Sequence, residues 1–205
     1  MSITIIDPPQ TGDLFHNRRR WTREDCEFME RVGLLKNRYE LIDGEIVEKV
    51  GQNRPHVLGV MRATRWLMGV FGETYIQCQA DIEVATKDQP TNHPQPDVAV
   101  LKRPLEEYAA TPSGSDTRLI VEVSDTTLAD DLRVKAGLYA RALVPEYWVL
   151  DVTSQRLIVH RAPQSGIYTA IHAFTAQDTI APEGAPDAVV AVAALLPPAA
   201  AVGPV

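Results

Sequence analysis

Two carboxylates fall where the surrounding sequence excludes water. Asp97 follows Pro96 and opens the run Asp97-Val98-Ala99-Val100-Leu101, and Glu122 stands between Val121 and Val123 in the apolar stretch Arg118 to Ser124. An unpaired buried carboxylate costs several kcal/mol, so each of these needs a cation, a proton or strong hydrogen bonds. A third charge has a telling spacing. Leu128, Leu132, Lys135, Tyr139 and Ala142 recur at intervals of four, three, four and three, which keeps them all within about 40° of the direction of Leu128 on a helix. Lys135 therefore belongs to the core-facing row, where a lysine needs a partner unless its stem snorkels outward. Two carboxylates on interior strands, with a lysine aimed back at them, suit a hard divalent cation such as Mg²⁺ or Mn²⁺. Such an ion activates water and stabilises charge on a phosphoryl oxygen, and a lysine can orient the water or neutralise the same charge. The other reading is a metal-free buried ion pair.

Several elements must form to bring these groups together. Thr22-Arg23-Glu24-Asp25 has the pattern of a capping box, which predicts a helix from Thr22 to about Gly33. Tyr39 to Ile42 and Glu45 to Glu48 flank Asp43-Gly44, a dipeptide suited to a type I′ hairpin turn. Apolar residues at three- and four-residue spacing predict a helix from Pro55 to Phe71, stopped by Gly72. Alternation from Thr74 to Ala85 predicts a strand with one wet face, and a proline-rich connection runs from Gln89 to Pro96. After the strands that carry Asp97 and Glu122 come a helix from Thr127 to Leu143 and strands at Glu146 to Val152, Arg156 to Arg161 and Gly166 to Ala173. The expected division is a flexible arm over 1–20, one domain over 21–175 and an Ala/Pro-rich tail over 176–205, the last holding a small docked element and a disordered end.

Composition narrows the class. The chain has 205 residues, 45% of them hydrophobic, enough for one domain with a sizeable core. A net charge of −7 argues against an unselective nucleic-acid coat, although residues 18–38 carry seven basic side chains against four acidic. That local excess reads more readily as a solvated helix face than as a phosphate contact. Cys26 and Cys78 lack metal-ligand spacing and read as small buried hydrophobes in a reducing compartment. No stretch approaches the roughly 18 apolar residues of a membrane span. Met1 to Gln10 has neither a basic nor an apolar leader segment, so a cytoplasmic protein without membrane contact is expected.

The weaker candidates each carry a plain alternative. His56 can contact phosphate or a metal-bound water, or be a structural histidine. Glu40 can support the site or be a solvated hairpin charge, and Glu83 can approach a metal if its face lines a cleft. Tyr147 and Trp148 fit core and interface better than base stacking, and His16, His93, His160 and His172 share no ligand spacing.

The order helix, three strands, helix, strand after Pro55 resembles the PD-(D/E)XK nuclease core of restriction endonucleases. Pro96-Asp97 matches the PD, and Glu122-Val123-Ser124 the tripeptide. More specifically, the chain resembles a bacterial restriction-endonuclease-like family long catalogued as a domain of unknown function. The residues that carry this are Tyr39 to Glu45, His56, Pro96-Asp97-Val98, Val121 to Ser124, Asp131 with Lys135 and Tyr139, and Pro145 to Asp151. The resemblance covers roughly Tyr39 to Phe174. Pro-Asp alone is not specific, since Pro186-Asp187 repeats it in the tail; the ordered set is. Ser124 stands where the tripeptide has lysine, and the resemblance implies that the lysine has migrated to Lys135. It further implies an α/β fold with a mixed central sheet flanked by helices, preceded by the N-terminal helix and hairpin. Asp97, Glu122 and the Val123 carbonyl would bind Mg²⁺ or Mn²⁺, and Lys135 would be catalytic. The implied activity is metal-dependent cleavage of phosphodiester bonds in DNA. Cleaving both strands commonly needs two sites, so a homodimer is expected. The rivals are a nuclease-fold binding module without turnover and a structural oligomer with a buried Glu122–Lys135 pair.

Overall fold

The computed structural model describes residues 19–49 and 53–198. Most of the expected arm, the end of the tail and His16 lie outside these residues. The first helix, α1 (Arg23–Arg31), starts from Thr22, whose side chain accepts from the Asp25 amide while Asp25 accepts in return from the Thr22 amide. The hairpin follows, β1 (Tyr39–Ile42) against β2 (Glu45–Glu48), with Ile42 opposite Glu45. Asp43 and Gly44 both take positive φ, 49° and 78°, as a two-residue primed turn requires. Asn53 caps α2 (Arg54–Phe71), whose chain turns out at Gly72 with φ 94°.

A six-stranded mixed sheet forms the centre, in the order β3-β4-β5-β6-β7-β8. Its strands are β3 (Ile76–Cys78), β4 (Val98–Leu101), β5 (Thr117–Ser124), β6 (Glu146–Asp151), β7 (Arg156–Gln164) and β8 (Ile167–Thr175). Only β5 and β6 run parallel, and the helical crossover between them comprises α3 (Leu128–Asp130), a π-helical turn over Asp131–Lys135 and α4 (Ala136–Arg141).

Both faces of the sheet are covered, which is why β4 and β5 are continuously apolar rather than alternating. Val98, Val100, Leu119 and Val121 pack with Ala63 and Leu67 of α2, while Ala99, Leu101 and Ile120 pack with Leu138 and Tyr139 of α4. Trp66 of α2 stacks on Trp148 of β6 at 6.1 Å between centroids. Past Phe174, Ile180, Val190, Val192, Leu195 and Leu196 fill the same core as α2. They come from β9 (Thr179–Ile180), β10 (Val190–Ala191), α5 (Val192–Leu195) and the residue after it. Among the described residues no helix is long and apolar enough to cross a membrane.

Three expectations need correction. The strand expected from Thr74 to Ala85 is only three residues long, because Gln79 takes a left-handed φ of 48° and turns the chain off the sheet. Ile82 and Val84 still point into the core, and Glu83 pairs through its backbone with the 112–114 loop instead of a strand. Cys78, expected to be buried, is exposed on the short edge strand, whereas Cys26 is buried as expected. The helix from 127 to 143 is widened by the π turn.

Candidate active site

Asp97 comes immediately before β4. The antiparallel register sets Val98 against Val121, and one step further sets Asp97 against Glu122. The Asp97 carboxylate is buried and reaches along the strand end, where its Oδ2 accepts from the Val123 amide at 2.9 Å. The start of α2 closes over the same oxygen. His56 Nε2 lies 3.2 Å from Asp97 Oδ2. That approach depends on Gly59, one turn along: a Cβ there would come within 2.8 Å of Val123 Cγ1.

Glu122 is buried beside it, with its contacts toward the π turn. Its Oε1 accepts from both Lys135 Nζ and the Tyr139 hydroxyl, each at 2.9 Å. Lys135 also reaches Glu40 Oε2 at 3.0 Å and Asp131 Oδ1 at 3.6 Å. The hairpin thus delivers Glu40 into the core, where its Oε1 accepts from the Gln95 amide at 2.6 Å and lies 3.5 Å from Lys49 Nζ. Asp131 is held by the Thr127 hydroxyl at 2.7 Å.

Four carboxylates, Glu40, Asp97, Glu122 and Asp131, therefore share the ammonium groups of Lys135 and Lys49. The excess of negative charge shows in the titration of the cluster. Burial pushes Glu122 up to about 8, against the pull of Lys135 and with further push from Asp97, Glu40 and Asp131. Burial acts on Asp97 in the same sense, but His56, Lys49 and the Val123 amide outweigh it and hold this carboxyl below its ordinary value. Lys135 goes the other way: burial favours its neutral form, yet Glu122, Glu40 and Asp131 keep its ammonium well above the ordinary range. Burial and the neighbouring carboxylates raise Tyr139 as well, so its phenol remains a donor.

These groups line a cavity of about 330 Å³ bounded by the hairpin, the start of α2 and the 125–127 segment. At its far wall the Asn53 side chain donates to Asp125, which also accepts from Thr153 at 3.1 Å. Asp97 Oδ1 is buried without a hydrogen-bond partner, and both hydrogen bonds to Glu122 end on its other oxygen, Oε1. Among the described residues no three His, Cys, Asp or Glu side chains gather into a ready-made metal cluster. Magnesium does not require one, since it is held by one or two carboxylates and retains several waters. An orphaned buried carboxylate oxygen beside a second carboxyl group, whose negative charge burial and its acidic neighbours disfavour, fits that mode of binding.

The comparison that decides the family covers most of the chain: residues 28–193 match a family described as "Putative restriction endonuclease". The chain belongs to the Uma2 family. A crystal structure from Anabaena variabilis, described as a "putative nuclease belonging to DUF820", is similar with a TM-score of 0.57 at 14% identity. The likeness spans 82% of this chain and 96% of that one and shows a shared fold. No curated protein matches the chain.

In this Uma2 chain Asp97, Glu122, Val123, Lys135, His56 and Glu40 all line the one cavity. Glu83 does not. It makes two hydrogen bonds with Arg23 of α1, at 2.9 and 3.0 Å, beside a different pocket behind β1. The Uma2 site also takes in residues that sequence reasoning assigned no role there, although Asp131 and Tyr139 are among those that carry the family resemblance. Lys49 comes from the end of β2, and Asp131 and Tyr139 come from the crossover. The spacing of Asp131 and Lys135, four residues apart on one helix, was a usable signal; for Lys49 there was none.

Proposed function

We propose that this Uma2 chain is a divalent-metal-dependent endonuclease that hydrolyses phosphodiester bonds in DNA. The observation that carries the reading is the pairing of an orphaned Asp97 oxygen with a Glu122 whose only cationic partner among the described residues is Lys135, both facing one cavity. The family description supports the same reaction class. Asp97, Glu122 and the Val123 carbonyl would hold Mg²⁺ or Mn²⁺. When bound, the ion supplies an activated water and positive charge beside the reacting phosphate.

The remaining roles fall to the chain's own groups. Lys135, held charged by Glu40 and Asp131, orients the attacking water or neutralises charge on the phosphoryl oxygen. Tyr139 and Lys135 fix one oxygen of Glu122 and so set the direction of the other. His56 and the Val123 amide do the same for Asp97. Each carboxylate is thereby locked by neighbours before substrate arrives, which is what a preorganised site needs.

The test is nicking of supercoiled plasmid DNA with Mg²⁺ or Mn²⁺, compared with Asp97→Asn and Glu122→Gln. Cleavage that needs the ion and is lost in both variants is the expected result. The buried 2.9 Å Lys135–Glu122 bridge favours a second reading, a structural ion pair in a fold without turnover. A metal that prefers the native state must raise its melting temperature. Absence of both a Mn²⁺-induced shift and any nicking would leave only the structural reading.

A further inference from the structure

The two edges of the central sheet are built differently. β3 closes one edge with three residues, ends at the left-handed Gln79, and has the Gln79 carbonyl capped by the Arg38 guanidinium. β8 closes the other with nine residues, Ile167–Thr175. β7 is its only strand partner among the described residues. A long free edge is a template for pairing with another chain, and soluble proteins usually blunt it with charge, proline, bulges or a short strand. β8 contains no Asp, Glu, Lys, Arg, Pro or Gly. Its register with β7 runs without a shift from Arg156↔Thr175 to Gln164↔Ile167.

The side chains along this edge are apolar as well. Ile167 and Ile171 are 62% and 56% exposed. Leu143, 63% exposed, precedes Val144, whose carbonyl accepts from the Tyr168 hydroxyl at 2.9 Å, so a third bare aliphatic group stands close to β8.

We infer that β8 is a homodimer interface, in which two copies pair antiparallel through this strand about a two-fold axis near Ile171 and join their sheets into one. Charge selects the partner. With two-fold pairing about Ile171 only that residue meets its own copy and every other side chain meets a different position of the same strand, so a strand without Asp, Glu, Lys or Arg brings no like charges together in the pair. In a chain of net charge −7 the uncharged β8 is where two copies can approach with least repulsion. An antiparallel strand is also self-complementary under two-fold symmetry, which makes the contact closed rather than fibrous. With the axis at Ile171, Ile167 faces Thr175 and Thr169 faces Ala173 of the other copy, leaving two isoleucines at the centre. The inference does not depend on the nuclease reading, because no residue of the cavity lies on β8.

Sedimentation velocity of the full chain at tens of micromolar tests it. The wild type should sediment at twice the 22.6 kDa chain mass, and Ile171→Lys, which sets two ammonium groups face to face, at the single-chain mass with unchanged circular dichroism. If that variant fails to fold, a second one decides: Ile171→Cys in a Cys78→Ser background should form a disulfide-linked dimer on mild oxidation, since Cys26 is buried. A monomeric wild type would overturn the inference. So would a dimer that survives Ile171→Lys and does not cross-link through position 171, because the copies would then meet elsewhere.

Discussion

Lys135→Met probes the centre of the cluster. Methionine keeps an unbranched apolar stem and removes only an ammonium that Glu122, Glu40 and Asp131 approach at 2.9, 3.0 and 3.6 Å. Lys49 is then the one lysine left among the four carboxylates, and its contact is with Glu40 at 3.5 Å. Removing one partner of a buried pair typically costs about 3–5 kcal/mol. Glu122 adds little to that cost near neutral pH, because its carboxyl is pushed to about 8 even with Lys135 pulling it down and already holds its proton. The expected loss near neutral pH is therefore about 3 kcal/mol, a drop in melting temperature on the order of 10 °C. Nicking should fall roughly a hundred- to a thousand-fold when assayed well below the variant's transition, the usual effect of losing one preorganised charge stabiliser. Adding Mn²⁺ separates the two losses. A cation beside Glu122 replaces the missing charge, so it should raise the variant's melting temperature more than the wild type's while leaving the rate low. A folded variant that nicks at the wild-type rate would refute the catalytic role. One that melts with the wild type in the absence of metal would refute the ion cluster itself.

Glu122 also sets a pH dependence. Its carboxyl rises from 4.5 to about 8 on folding, so the folded state holds the extra proton and the metal-free protein loses stability as pH increases through this range. Between pH 6 and 8 urea melts should show the wild type losing about 2 kcal/mol relative to Glu122→Gln, which cannot ionise; equal slopes would contradict the assignment. Gly59→Ala drives a methyl to 2.8 Å from Val123 Cγ1. Overpacking of about 1–3 kcal/mol outweighs the roughly 1 kcal/mol that alanine returns in helix preference, so denaturant midpoints should fall and nicking with them as His56 is displaced from Asp97. Glu83→Gln weakens only a half-exposed bridge to Arg23, so its plasmid-nicking rate should equal that of the wild type, with under about 1 kcal/mol lost in stability.

What the sequence revealed followed the range of the forces involved. The capping box at Thr22, the Asp43-Gly44 turn and the apolar runs of β4 and β5 are set by neighbours in the chain, and all stand where the spacing placed them. Lys135 was legible because Leu128, Leu132 and Tyr139 mark its face, and all three pack in one cluster despite the π turn between them. The Thr74 to Ala85 stretch misled because its alternation is real. Ile82 and Val84 do face the core, but the backbone between them pairs with a loop rather than a strand. Glu40 could not be told from a solvated hairpin charge, and Lys49 could not be placed at all. Their role depends on the hairpin folding over Gln95 and Lys135, contacts that span as many as 95 positions and leave no periodic trace.

The π turn at Asp131–Lys135 has a consequence for how this site tolerates insertion and deletion. A single wide turn amounts to one residue more than the regular spiral needs, accommodated without breaking the helix. Removing any one residue between Thr127 and Asp131, or within the turn itself, would let the crossover relax into an ordinary α-helix. The segments on either side would keep their faces, because the wide turn is what absorbs the extra residue, and only the groups inside the turn would take up new positions. Leu128 and Tyr139 would stay in place, while Asp131 and Lys135, held in the widened turn, would lose their shared alignment with Glu122. Point substitutions at exposed Asp130 or Arg133 leave that phase intact. The reading frame of the helix, more than the identity of each side chain on it, is what aligns Asp131 and Lys135 with Glu122.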